Sequence, residues 1–228
     1  MYKRFFSILF MFLFVSNLSL YAQETDDKYL VLINKYNPLD SNYSPEKTIN
    51  ISKHIRATKK EILMEEEAGL KYIEMVSEMV LSGITDLAAV SGYRNYSRQT
   101  TLFNNQIARH KTLAYEEAFN RAAMVVAPPG SSEHQSGLAI DVSSSQIGFA
   151  LSQNFENTTA FKWLSENAHT YGFIIRYPKD KTHITGIIYE PWHLRYVGKY
   201  HADKIAEYGI TLEEYMAIIN AELALNNE

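Results

Sequence analysis

Residues 131–142 read SSEHQSGLAIDV, and the rest of the chain is organised around them. Gly137 divides the stretch. Behind it, Leu138 to Val142 form a short apolar run with the look of a buried strand, which then gives way to serines. Asp141 sits inside that run. A buried carboxylate is costly unless something pairs with it, and a metal ion is one such partner. His134, on the other side of Gly137, is a second ligand of the right kind. A third appears far downstream, in Glu190-Pro191-Trp192-His193. Two histidines and one aspartate leave a tetrahedral zinc ion with one open position, the layout of catalytic rather than structural sites.

The other histidines (His54, His110, His169, His183 and His201) stand in polar or helical contexts and read as structural or solvated. His193 differs from them because Glu190 lies three residues before it. Pro191 makes a helix there unfavourable, and a bend at that proline would turn both side chains into one cavity.

Composition narrows the partners. The 228 residues suit one domain, and 46% apolar residues suffice for a packed core. The net charge of −4 comes without a basic block, which argues against nucleic acid and against attraction to an anionic membrane. There is no cysteine, so disulfides, thiolate ligands and a cysteine nucleophile are excluded. Lys3 and Arg4, an apolar run from Phe5 to Val15, and a more polar end at Ala22 form the three-part pattern of a secretory signal peptide. The expectation is a signal segment at 1–22, a single zinc-enzyme domain at 23–228, and a secreted or extracytoplasmic protein. An uncleaved anchor is the alternative, but the apolar run is short for a membrane span.

Periodicity then predicts the elements. Tyr29–Ile33 reads as a strand, and 59–81 as a helix with Leu63, Leu70, Ile73, Val76, Met79 and Val80 on one buried face. A strand over 86–91 leads through Gly92-Tyr93-Arg94 into a helix capped by Asn95 or Ser97. A further helix over 115–124 stops at Pro128-Pro129-Gly130. Beyond the central stretch come a helix over 157–171, a strand over 173–177, and two strands over 184–189 and 192–197 that meet at Pro191. Helices over 199–208 and 212–224 close the chain, the last with Thr211 and Glu214 as a capping box. Strands and helices cluster rather than alternate. The expected class is therefore α+β, with a small, mostly antiparallel sheet flanked by helices.

Three stretches in this order, SGYRNYSRQ (91–99), SSEHQSGLAIDV (131–142) and ITGIIYEPWHLRYVG (184–198), resemble the motifs of the VanY-type D-alanyl-D-alanine carboxypeptidases. These belong to the zinc peptidases that trim peptidoglycan stem peptides. The resemblance implies zinc held by His134, Asp141 and His193, with Glu190 as general base. It also implies Arg94 over the metal site, with Gln99 and Ser132 nearby to hold the peptide end. Trp192 is placed with the substrate-binding residues; for it, as for Tyr93 and Tyr96, ordinary packing is the alternative. Asn95, Ser131 and Ser136 depart from the residues common in the family, and none of the three is a ligand position.

The expected reaction is removal of a C-terminal D-alanine from stem peptides. A zinc endopeptidase or dipeptidase of wall peptides would use the same chemistry. A non-catalytic wall-binding module with structural zinc is a rival of another class, and Glu190 argues against it, because a closed structural site needs no free carboxylate beside the metal. No G-x-S-x-G signature supports a serine peptidase.

Overall fold

A computed structural model describes residues 26–226; the signal-segment reading of 1–22 lies outside them. Two short strands come first, β1 (Thr48–Asn50) and β2 (Leu63–Glu65), paired antiparallel with Thr48 opposite Glu65. Helix α1 (Glu66–Leu81) begins where the Glu65 carboxylate turns back to accept the Ala68 amide at 2.9 Å. Then follow β3 (Leu87–Ser91), α2 (Tyr96–Ala108), α3 (Tyr115–Ala123), a 3-10 turn at Glu133–Ser136 and β4 (Ala139–Ser144). Helix α4 (Thr159–Asn167) precedes β5 (Phe173–Tyr177), the single turn α5 (Thr182–Thr185), β6 (Glu190–Tyr196), α6 (Lys199–Tyr208) and α7 (Leu212–Asn226). Strands β3, β4, β6 and β5 lie side by side in that order, every pairing antiparallel. The α+β architecture read from the sequence is the one observed.

The sheet works by the two-residue alternation of strand side chains. Ile140 and Val142 of β4, Trp192, Leu194 and Tyr196 of β6, and Phe173 of β5 enter one apolar core with Tyr72, Met75, Val76 and Met79 of α1 and Leu164 of α4. Each fully buried side chain of this size contributes about 1.5–3 kcal/mol. The residues in between, Asp141, His193, Arg195 and Arg176, belong to the other face, and all are buried too. A smaller apolar cluster of Ile174, Val197, Ala202, Ile205, Leu212 and Tyr215 seats α6 and α7. The capping box is formed: Thr211 N donates to Glu214 Oε2 at 2.8 Å and Glu214 N donates to Thr211 Oγ1 at 3.2 Å.

Leu70 and Val80, expected on the buried face of α1, are exposed, and four expected elements differ, each for a tertiary reason. Tyr29–Ile33 is not a strand; the carbonyls of Tyr29 and Val31 accept from the buried Arg195 guanidinium at 3.1 and 2.7 Å, so they serve a cation rather than a ladder. The first long helix starts at Glu66 rather than near 59, because residues 63–65 are drawn into pairing with β1 and Leu63 O accepts the Tyr93 amide at 2.7 Å. Residues 184–189 make no strand, since β5 and β6 pair directly with each other and this segment is their connection. Finally, β6 runs through Pro191 instead of breaking there. Pairing to β4 begins only at His193, and the register with β5 shifts between Ile175 and Tyr177, so the missing proline N–H leaves no gap in the ladder.

Candidate active site

The β4–β6 register sets Asp141 directly opposite His193, so two side chains 52 residues apart become cross-strand neighbours. His193 Nδ1 lies 2.9 Å from Asp141 Oδ1. His134 arrives from the 3-10 turn, which Gly137 closes in a left-handed conformation (φ 74°) that a residue with a side chain adopts only under strain. His134 Nε2 then lies 3.2 Å from Asp141 Oδ2. Its other nitrogen, Nδ1, is 2.7 Å from the Gly92 carbonyl, and its own carbonyl accepts the Arg94 amide at 3.1 Å. One side-chain and one backbone hydrogen bond thus lock the 91–99 stretch onto the 131–142 stretch. The Gly92 carbonyl accepts a hydrogen bond from Nδ1–H, which leaves Nε2 with its lone pair free.

That lone pair is buried and has no hydrogen-bond partner. One donor atom each from His134, Asp141 and His193 lies within 4.8 Å of the others, and all three residues are buried. A nitrogen–nitrogen–oxygen set around an unsatisfied acceptor suits a divalent ion such as zinc, with room for a fourth ligand. The charges agree. Burial holds His134 down to about 4, so its ring is neutral and ready to coordinate. Burial also works against a charged His193, but its hydrogen bond to Asp141 and the facing carboxylate of Glu133 outweigh it and raise the ring to about 9. Without a metal, then, the imidazolium of His193 joins the Arg94 guanidinium as positive charge beside Asp141; a bound divalent cation would take the place of its proton.

Glu190 stands at the edge of this group, its Oε2 3.9 Å from His193 Nδ1. Burial, with Asp141 adding to it and His193 and Arg94 opposing it, pushes its carboxyl up to about 8. Arg94 Nη2 is 3.5 Å from Asp141 Oδ2. Ser132, Trp192 and Gln99 complete the walls of one hollow of about 440 Å³ that all eight sequence-selected residues line. Gln99 differs in detail from a simple donor: it gives an amide hydrogen to Ala127 O at 2.7 Å, and its Oε1 is left buried and unpaired. A larger neighbouring hollow of about 1200 Å³ shares Ala127, Tyr177 and Ile187 with the first.

Sequence reading missed four residues. Tyr177 lines both hollows, its ring 5.0 Å from that of His193. Glu133 and its two arginine partners, Arg176 and Arg195, are almost wholly buried against the site. Glu133 lay in plain view beside His134, and the signal that could have exposed it is the pair of arginines in otherwise apolar strands. His169 and His201 are structural, as expected, bonded to Asp203 and to Asp27 with Tyr215.

Gly92 carries a prediction. A Cβ there would meet the Leu63 carbonyl oxygen at 2.2 Å, a clash with backbone that no rotamer relieves. Gly92→Ala is expected to lower unfolding stability by about 1–3 kcal/mol, the scale of overpacking, as read by urea denaturation.

Residues 61–199 match the family model of VanY, described as D-alanyl-D-alanine carboxypeptidase. The putative carboxypeptidase YodJ of Bacillus subtilis (strain 168) is 42% identical over 200 residues, covering 84% of this chain and 68% of that protein. The structure of the LdcB LD-carboxypeptidase, reported for its peptidoglycan recognition, superposes with a TM-score of 0.75 at 41% identity, covering 84% of this chain and 87% of that one. A point variant of the vancomycin-resistance D,D-pentapeptidase VanY, in complex with Zn(II), does so with a TM-score of 0.68 at 32% identity, covering 82% and 98%.

Proposed function

Because the chain belongs to the VanY family of D-alanyl-D-alanine carboxypeptidases, we propose that it is a zinc-dependent carboxypeptidase that removes the C-terminal D-alanine from peptidoglycan stem peptides. The observation that carries the reading is the buried His134–Asp141–His193 group with Glu190 beside it and Arg94 above it. We also propose export by residues 1–22 and action at the cell envelope, where the substrate is; no described helix is long and apolar enough to cross a membrane.

Each side chain has work that its position supports. Zinc held by His134, Asp141 and His193 supplies Lewis acidity and lowers the pKa of water to about 7. Glu190 takes a proton from the attacking water at its carboxylate and returns it to the departing amine nitrogen. A carboxyl that burial brings to about 8 exchanges a proton readily near neutral pH, and a nearby cation favours its ionised form. Arg94 offers a guanidinium to the negative oxygen of the substrate, either the developing oxyanion or the terminal carboxylate. Ser132 and the free acceptor of Gln99 orient the terminal residue, and Trp192 walls it. The larger hollow beyond Tyr177 has room for the remainder of the stem peptide.

The test is amidation of the substrate terminus. Amidation removes the charge that Arg94 complements, and hydrogen bonds to charged groups are worth about 1.5–3 kcal/mol. Release of D-alaninamide is expected to be roughly tenfold to a few hundredfold slower in kcat/KM than release of D-alanine from the same peptide. Equal rates would sink the exopeptidase reading, and cleavage at an internal bond would indicate the endopeptidase. A second reading concerns the residue before the bond. The higher identity to the LD-carboxypeptidase than to the D,D-pentapeptidase favours an L centre there, and tetrapeptide against pentapeptide substrates decide it.

A further inference from the structure

Glu133 is almost wholly buried at the wall of the hollow, and its carboxylate faces His193 there. Its Oε1 accepts from Arg176 Nε at 2.7 Å and from Arg195 Nη1 at 2.8 Å. Arg176 is held from behind by Glu213, whose two oxygens accept from Nη1 and Nη2 at 2.8 and 2.7 Å. Arg195 is held by the Tyr29 and Val31 carbonyls. The second oxygen, Oε2, is buried and has no hydrogen-bond partner, and neither has His193 Nε2. These two unsatisfied atoms face each other at 3.5 Å. Buried polar atoms are almost always paired, so two orphans this close amount to one hydrogen bond slightly open.

We propose that Glu133 is a positioning residue for His193: its Oε2 accepts the Nε2 proton, which fixes the ring as the Nε2–H tautomer and presents the Nδ1 lone pair to the metal. This rests on the zinc reading of the site. The two histidines are then held in opposite tautomers, His134 through Nδ1–H to the Gly92 carbonyl and His193 through Nε2–H to Glu133. An outer carboxylate of this kind orients the ring and raises its basicity. The arginines keep Glu133 ionised and immobile, so the chain from Glu213 through Arg176 to Glu133 ends on a metal ligand. The pairing also accounts for two buried arginines in a sheet, which contribute little stability by themselves.

Glu133→Gln tests it. Three N–H donors converge on the carboxylate, from Arg176, Arg195 and His193, and an amide has one acceptor oxygen to meet them. Zinc affinity, measured by competition with a chromophoric chelator, is expected to fall about 10–100-fold. Affinity within about twofold of wild type would overturn the proposal. Should the variant not fold, the wild type decides. In the zinc-loaded protein, long-range proton–nitrogen correlation spectra of the imidazoles are expected to show His193 protonated at Nε2 and His134 protonated at Nδ1. Zinc bound with His193 protonated at Nδ1 overturns this inference alone. A wild type that takes up no zinc overturns the metal reading, and this inference with it.

Discussion

Glu190→Gln is expected to keep its zinc and to lose at least about a hundredfold in turnover, the lower scale for removing a general base. That loss corresponds to about 2.7 kcal/mol of transition-state stabilisation. The variant separates binding from chemistry because Glu190 lies outside the ligand group, with its nearest oxygen 3.9 Å from His193 Nδ1. It should also fold normally. Burial already favours the neutral carboxyl, and a neutral amide of the same shape suits the same pocket. Zinc content by elemental analysis and D-alanine release on the same preparation make the measurement. Turnover near the wild-type rate would mean that another group accepts the proton of the water.

Loss of the ligands themselves should act on both quantities together. His134→Ala and His193→Ala are each expected to lose bound metal and to fall to background activity. In the wild type a chelator should abolish activity, and added zinc should restore it. No thiolate is available in a chain without cysteine, and a site made only of imidazole and carboxylate gives up its ion to acid or chelator. His169→Ala is the control. His169 is about one-third exposed and pairs with Asp203 at 2.7 Å, far in role from the metal group. An exposed pair of this kind is worth about 0–1 kcal/mol, so both metal and activity should survive. Full activity in protein shown to hold no transition metal would refute the zinc reading outright.

Much of the site was legible because its signals are local. Asp141 inside an apolar run, the glycine before it and the spacing of Glu190 to His193 are visible within a few residues of sequence. The eight residues selected on those grounds, with the motif resemblance, line one hollow. The strands at 87–91 and 173–177 and the five longer helices beyond residue 95 were equally legible, since each carries its own period and its own stop signal. Glu133 was not, because its meaning depends on Arg176 and Arg195, which stand 43 and 62 residues away. Nor was the spent amide of Gln99, whose partner, Ala127, is 28 residues away.

The sequence by itself determined the class of fold, the order of the motifs and the donor types available to a metal, because periodicity, glycine placement and the absence of cysteine are properties of single segments. The tertiary structure alone decided the pairing of Asp141 with His193 across β4 and β6, the tautomer imposed on His134 by the Gly92 carbonyl, and the fate of Tyr29–Ile33 and residues 184–189. A segment with strand propensity becomes a strand only where a sheet edge is free to receive it. Here the carbonyls of Tyr29 and Val31 are taken by a guanidinium, and the place beside β5 is taken by β6. Backbone hydrogen-bonding capacity is obligatory but transferable, so the partner that claims it is settled by what folds alongside, not by the residues that carry it.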